Sequence, residues 1–292
     1  MSRETSSGKA SVLQLCQVLG LSRQAYYAAQ RVPTATLEPK PRAGASRGAS
    51  VAQLEPRIRA LAESHSAWGV RKIWACLRRE DLAVSHRRVW ALMKAWGLTL
   101  QPAACREKGT TRGHVAVPDS NRRWAGDLTT TWTRQEGLAA ITLIVDCGDR
   151  VALAASVSKS QESPAVLAPL AESLETEFGE PRNVPSGLEF RSDHGPQFTG
   201  GDCEELCQHW HLDHTFAPVG RPTGNAVVER LILTLKQELL WTRDWDSIDQ
   251  LREAINAWLL TYNEVRPHQA LGNLTPAEKR AQNLGRQLQL AA

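Results

Sequence analysis

Two regimes of hydrophobic patterning divide the 292-residue chain. Up to about residue 100 apolar positions recur at helical spacing, whereas from Trp124 onward they alternate or run together as strands do. Val12 to Leu19 is apolar at helical spacing and is broken by Gly20. Ser22 can then cap a second helix through Tyr26 and Tyr27, the order of a helix-turn-helix and equally of any short helical hairpin. Three more helices are predicted over Pro56–His65, Val70–Arg79 and His86–Trp96, the last capped by Ser85 and stopped by Gly97. Val89, Leu92, Met93 and Trp96 share an apolar face there, and Arg87, Arg88 and Lys94 lie on other faces, open to solvent or phosphate. Beyond residue 120 the pattern predicts three strands in a meander, at Trp124–Trp132, Leu138–Asp146 and Val151–Val157. A helix over about Glu162–Phe178, a short strand reaching Arg191, a helix over about Asp202–Trp210, a strand at Leu212–Phe216 and a helix over about Asn225–Leu240 follow. A last helix, Ile248–Tyr262, leads into a polar tail.

The fold class this order predicts is α/β, an RNase H-like mixed five-stranded sheet with flanking helices, preceded by small all-helical modules of helix-turn-helix type. Stretches poor in periodic apolar residues, 32–50 and 101–120, read as basic connectors. They set off an N-terminal helical segment (1–31), a helical accessory module (51–100), a catalytic core (121–242) and a C-terminal helix and tail (243–292).

Hydrophobic residues at 42% and charged residues at 23% are ordinary for a globular chain with a sizeable core. With no run of ~18 apolar residues and no apolar signal region after Met1, the expectation is a soluble, cytoplasmic protein. The net charge of +4 conceals a split. Residues 1–126 carry 21 Lys/Arg against 8 Asp/Glu, a balance of +13, and residues 127–292 carry 14 against 23, a balance of −9. A basic half suits phosphate backbone and an acidic half suits cations, although a merely solvated basic surface looks the same. Arg71, Lys72, Arg87 and Arg88 are the candidate phosphate contacts of the helical module. The six cysteines contain no CxxC pair and fit reduced thiols. Cys203, Cys207, His209, His211 and His214 have the chemistry of a zinc site, but Cys203 and Cys207 lie one helical turn apart beside Leu206 and Trp210, and packing on an amphipathic helix accounts for them.

Three carboxylates carry the candidate chemistry. Asp127 sits inside a predicted strand, where propensity disfavours it. Asp193 ends a short strand in Arg191-Ser192-Asp193-His194-Gly195, and Glu229 falls in the first turns of a helix in Asn225-Ala226-Val227-Val228-Glu229-Arg230. Each alone has a structural explanation. Metal-assisted phosphoryl transfer, however, needs acidic oxygens that converge on two hard cations ~3.5–4 Å apart.

Their spacing and the Trp124-Ala125-Gly126-Asp127 lead-in resemble the D,D(35)E arrangement of transposases and retroviral integrases. The chain resembles the OrfB-type transposases of bacterial insertion sequences over nearly its whole length. The resemblance rests on Leu19-Gly20-Leu21-Ser22-Arg23, on Trp68-Gly69-Val70-Arg71-Lys72-Ile73 with Arg88 to Met93, and on Tyr262-Asn263-Glu264-Val265-Arg266-Pro267-His268-Gln269-Ala270-Leu271. It implies two Mg²⁺ or Mn²⁺ ions per active site at Asp127, Asp193 and Glu229, cleavage at element ends and transfer of a 3′-hydroxyl to target DNA. It also implies double-stranded DNA as partner, a homo-oligomer on that DNA, and in some members fusion to an upstream reading frame. Gly224 and Arg230 depart from the residues usual around the Glu. Asn225, Arg230 and Lys236, with Arg221 in the Gly- and Pro-rich loop before them, are the candidate contacts to a DNA end, Lys236 having the alternative of a surface ion pair. Arg266 and His268 are open to either DNA contact or packing. A nuclease that cuts without joining, and an inactive DNA-binding remnant, are the rival readings.

Overall fold

The computed structural model describes residues 48–101, 117–218 and 225–291. The helical segment expected over 1–31, most of both connectors, and residues 219–224 with Arg221 lie outside the described residues. Residues 49–292 form one compact unit, so the helical module and the sheet belong to one body.

Three helices open it: α1 (Val51–Ser64), α2 (Val70–Arg79) and α3 (His86–Ala95). Helix α1 begins five residues before Pro56. The Ser50 hydroxyl accepts from the Gln53 N–H while the Gln53 side chain accepts from the Ser50 N–H, and this capping box sets the start, leaving Pro56 inside the helix on its exposed side. Ser85 caps α3 as predicted, accepting from the Arg88 N–H. Leu54, Ile58, Trp68, Ile73, Leu77, Val89 and Met93 close a core of their own; Leu92 and Trp96 are only partly buried against it.

The sheet has the order β3-β2-β1-β4-β5. Strands β1 (Arg123–Thr133), β2 (Gly137–Asp146) and β3 (Ala152–Ser158) form the expected antiparallel meander, and β4 (Glu189–Ser192) and β5 (Asp213–Phe216) add in parallel. Alternation along β1 sorts the faces. Trp124 and Ile144 pack under α4 (Ser163–Phe178), the one-turn α5 (Pro196–Thr199) and α6 (Gly201–His209). Ala125, Leu143 and Val145 pack on the other side, against α7 (Ala226–Leu235) and α8 (Ile248–Leu260). Helices α7 and α8 each run on into a π-helical turn, Lys236–Leu240 and Thr261–Val265.

The polar tail expected after α8 is a structured element. Helix α9 (Pro276–Ala291) returns to the core, where Arg280 meets a buried acidic pair. Its guanidinium lies 3.6 Å from Asp146 and 3.4 Å from Asp149, near enough for ion pairing but not aligned as hydrogen bonds, and 3.0 Å from Glu177. The carboxylates accept from the Asn121 and Gly148 N–H groups and from the Ser120 hydroxyl, and Asn283 of α9 donates to that same hydroxyl oxygen. Polar single residues make this anchor, so hydrophobic periodicity does not reveal it.

Burial first, and Asp149 beside it, push the Asp146 carboxyl up to about 7; burial likewise raises Asp149. A folded-state pKa raised above the unfolded one contributes stability that is complete at low pH and lost as pH rises through the folded value. Chemical denaturation between about pH 5 and 8 should therefore show stability falling with pH through this pair. Arg280→Met, which leaves the acids buried without their cation, should steepen that fall and cost about 3 kcal/mol at pH 8.

Candidate active site

The parallel pairing of β1 with β4 aligns Trp124 with Phe190 and Ala125 with Arg191. Continued two residues further, that offset brings Asp127 level with Asp193 at the carboxyl end of β4, two carboxylates on neighbouring strands. Gly126 makes the approach of those strands tight: a Cβ there would stand 2.9 Å from the Phe190 ring and 3.0 Å from Ile144. Asp193 is exposed and turns back to accept from the Gly195 N–H at 2.9 Å, a turn favoured by Asp at the end of a strand.

Glu229 lies exposed in the first turn of α7. The start of this helix is tied to β1 by Asn225, whose Nδ2 donates to the Gly126 carbonyl at 3.3 Å, one residue from Asp127. Burial raises the Asp127 carboxyl to about 6; the Leu128 N–H bound to it opposes this, Asp193 and Glu229 add to it, and Lys236 opposes it. All three acids and Lys236 thus share one electrostatic neighbourhood. Their oxygens are not drawn within 4.8 Å of one another.

The candidate DNA contacts separate into groups. Lys236 forms no ion pair among the described residues, so the alternative of a surface pair is not what is found. Asn225 differs from expectation: it is 6% exposed and committed to Gly126, because a helix-start amide beside a strand carbonyl completes that strand's hydrogen bonding. On α7, Ala226 is exposed, and Val228, Leu231, Ile232 and Leu235 form the buried face. Arg71, Lys72 and Arg230 come together with His86, Arg266 and His268 around a groove of about 650 Å³ between the start of α2, α7 and the tail. Arg71 is exposed and hydrogen-bonds Gln269 at 2.9 Å. Arg87 and Arg88 lie on α3, away from this groove's lining.

Pairings that periodicity did not signal hold this ensemble. Glu238 accepts Lys72 at 3.1 Å and Arg266 at 3.0 Å, joining the helical module and the tail to the extension of α7. Burial holds Lys72 below its ordinary value, and burial together with Arg266 holds His268 down to about 3, so His268 is neutral and packs edge-on to Tyr262. Arg266 and His268 therefore pack, and their exposed edges line the groove. Glu189 braces three strands, bound by Arg123 at 2.5 Å, Arg191 at 2.7 Å and the Thr215 hydroxyl. Its pKa is lowered, since these partners overcome the effect of burial.

Residues 51–106 match a family model described as an HTH-like domain, and residues 118–222 and 211–276 match two described as the integrase core domain. The insertion element IS476 uncharacterized 39.2 kDa protein of Xanthomonas euvesicatoria is 28% identical over 90% of this chain and 70% of its own length. The catalytic core domain of BIV integrase aligns with 57% of this chain and 99% of its own at 22% identity and a TM-score of 0.43. The HTLV-2 integrase catalytic core domain in complex with magnesium aligns with 55% and 97% at 22% identity and a TM-score of 0.39. Transposase InsD for insertion element IS2 of Escherichia coli is 30% identical over 72% of each chain. With this relative, and with the helical module and integrase core matched in order, the chain belongs to the insertion-sequence transposases with an integrase-type DDE core, polynucleotidyl transferases that act on DNA.

Proposed function

We propose that Asp127, Asp193 and Glu229 hold two Mg²⁺ or Mn²⁺ ions, and that with them the chain cuts the ends of its element and joins the 3′-hydroxyl to target DNA. The observation that carries this is geometric: the β1–β4 register sets Asp127 level with Asp193, and Asn225 ties the first turn of α7, which bears Glu229, to the residue before Asp127. The donor set is all oxygen, which suits hard divalent cations, and a half-buried carboxyl raised by its acidic neighbours is one that a cation would stabilise. When bound, such ions activate the attacking water or hydroxyl and stabilise the departing oxygen.

The protein's own groups then position the reaction. Asn225 fixes the start of α7 to β1, which orients Glu229 toward Asp127. Lys236, seven residues after Glu229, returns to the same side of the helix and offers a cation to a terminal phosphate. Arg230 and Arg71 flank the groove, which we assign to the DNA backbone; Arg87 and Arg88 on α3, outside its lining, are assigned a separate phosphate contact. Two element ends and a target must be held at once, which supports a homo-oligomer on double-stranded DNA, alone or fused to an upstream-frame product. We assign the reaction to the nucleoid, where its proposed substrate DNA lies; no helix among the described residues is long and apolar enough to cross a membrane.

Incubating labelled end DNA with Mg²⁺ should give both nicked and joined strands. Asp127→Asn and Glu229→Gln should each reduce both products at least ~10³-fold, as expected for loss of electrostatic stabilisation, with DNA binding retained. Nicked product without any joined strand would instead identify a nuclease. Without metal, Asp127→Asn should also stabilise the fold above pH 6. A carboxyl held near 6 instead of 3.8 costs up to about 3 kcal/mol when ionised. Thermal melting at pH 5 and pH 8 measures the difference, and the sign requires the gain at pH 8.

Lys236→Ala should weaken binding of the terminal DNA and slow strand transfer while leaving the fold intact. Asn225→Ala should slow cleavage without changing DNA affinity, because its amide reaches Gly126. Band-shift and single-turnover measurements separate these outcomes. Arg71→Ala and Arg230→Ala should each flatten the logarithmic dependence of DNA affinity on salt by about 1.

A further inference from the structure

Away from the carboxylates, Cys203, Cys207 and His214 bring their sulfur and ring-nitrogen atoms within 4.8 Å of one another. Cys203 and Cys207 are one turn apart on α6 and face the sheet, both buried. His214 stands on β5, its ring set against Phe190 at 5.4 Å and Phe216 at 4.6 Å. His209 ends α6 and His211 sits in the turn after it, and neither joins the group.

Packing explains two buried cysteines, but it does not explain how the imidazole is held. Ser192 donates its hydroxyl to the Asp193 carbonyl at 3.0 Å, and its oxygen lies 3.0 Å from His214 Nε2. With its hydrogen so used, the serine accepts from Nε2–H, and the Nδ1 lone pair is left aimed at Cys203 Sγ, 4.0 Å away. A ligand histidine has this arrangement, one nitrogen for the metal and the other fixed by a second partner. Tetrahedral zinc, with bonds of about 2.3 Å to sulfur and about 2.0 Å to nitrogen, sets S···S at about 3.8 Å and S···N at about 3.6 Å. Cys203 Sγ and His214 Nδ1, 4.0 Å apart, need approach by only about 0.4 Å to meet these separations, and the two pairs with Cys207, within 4.8 Å, by at most about 1.2 Å.

We propose that Cys203, Cys207 and His214 bind one zinc ion, with water in the fourth position, and that this centre pins α6 to the β4–β5 edge. Two thiolates and an imidazole select a borderline-soft cation, whereas Mg²⁺ prefers carboxylate oxygen, so the two metal chemistries of this chain do not compete. Ser192 links the zinc ligand His214 to the residue beside it, Asp193. The inference stands whether or not the carboxylates act as proposed.

The test is cobalt substitution of the full chain, purified under reducing conditions and kept in excess Mg²⁺. One cobalt per chain should bind with thiolate-to-cobalt charge-transfer absorption in the near ultraviolet and tetrahedral bands in the visible, and zinc should displace both. Cys207→Ser and His214→Gln should abolish or strongly shift these bands; Asp127→Asn should keep them. A folded wild-type chain that takes up cobalt without charge-transfer absorption, or variants that keep the unaltered spectrum, would overturn the proposal. If the variants do not fold, the wild-type spectrum decides, supported by a lower melting midpoint after zinc chelation and its recovery on adding zinc alone.

Discussion

Holding an ionisable carboxyl on the central strand of a sheet, with two more acids facing it, is the constraint around which this fold is arranged. Asp127 loses hydration on β1 and is repelled by Asp193 and Glu229, and these effects together raise its pKa. Sheet order supplies the first part of the answer, since β1 has β2 on one side and β4 on the other and cannot shift without breaking both ladders. Gly126 removes the side chain that would push β1 and the Phe190 ring apart. Asn225 then fixes the helix that brings the third acid, and the Leu128 N–H and Lys236 offer partial compensation. The arrangement of these acids is held by hydrogen bonds and strand register, and their mutual repulsion is the tension that the proposed cations would relieve.

Polar networks do comparable work elsewhere. Glu189, the first residue of β4, gathers Arg123, Arg191 and Thr215 and so locks β1, β4 and β5 together from the end of β4 opposite Asp193. Arg280 reaches from the last helix to Asp146, the last residue of β2, and to Asp149 in the turn that follows. Such contacts are costly to desolvate and specific in geometry, and they select one arrangement among several that burial of apolar area would allow.

What could be read beforehand follows from which forces leave a periodic trace. Helix α2 begins and ends where its apolar spacing predicts, and the meander strands lie within a residue of their expected bounds, because buried faces impose periods of 3.6 and 2. Asp127 was conspicuous because a strand interior disfavours it. Helix α9 was not legible, since its anchors, Arg280 and Asn283, are isolated polar residues whose partners lie far away in sequence. The role of Asn225 was hidden for the same reason: spacing describes a helix face, but whether a helix-start residue turns toward solvent or a strand carbonyl is decided by the neighbouring strand. Spacing likewise could not say which of three histidines approaches the cysteines; the pleat of β5 decides for His214.

One carboxylate, Glu238, binds Lys72 of the helical module and Arg266 of the tail, and it sits on the π-helical continuation of the helix that carries Glu229. Three segments distant in sequence thus share a single charge balance in a half-buried setting. A module grafted from a relative lacking a cation at position 72 would leave Arg266 and Glu238 to rearrange, and a relative lacking the acid would leave two cations facing each other. Exchange of the helical module in this chain is therefore constrained by a matched trio, and a graft keeps the charge balance only where residues 72, 238 and 266 are exchanged in concert.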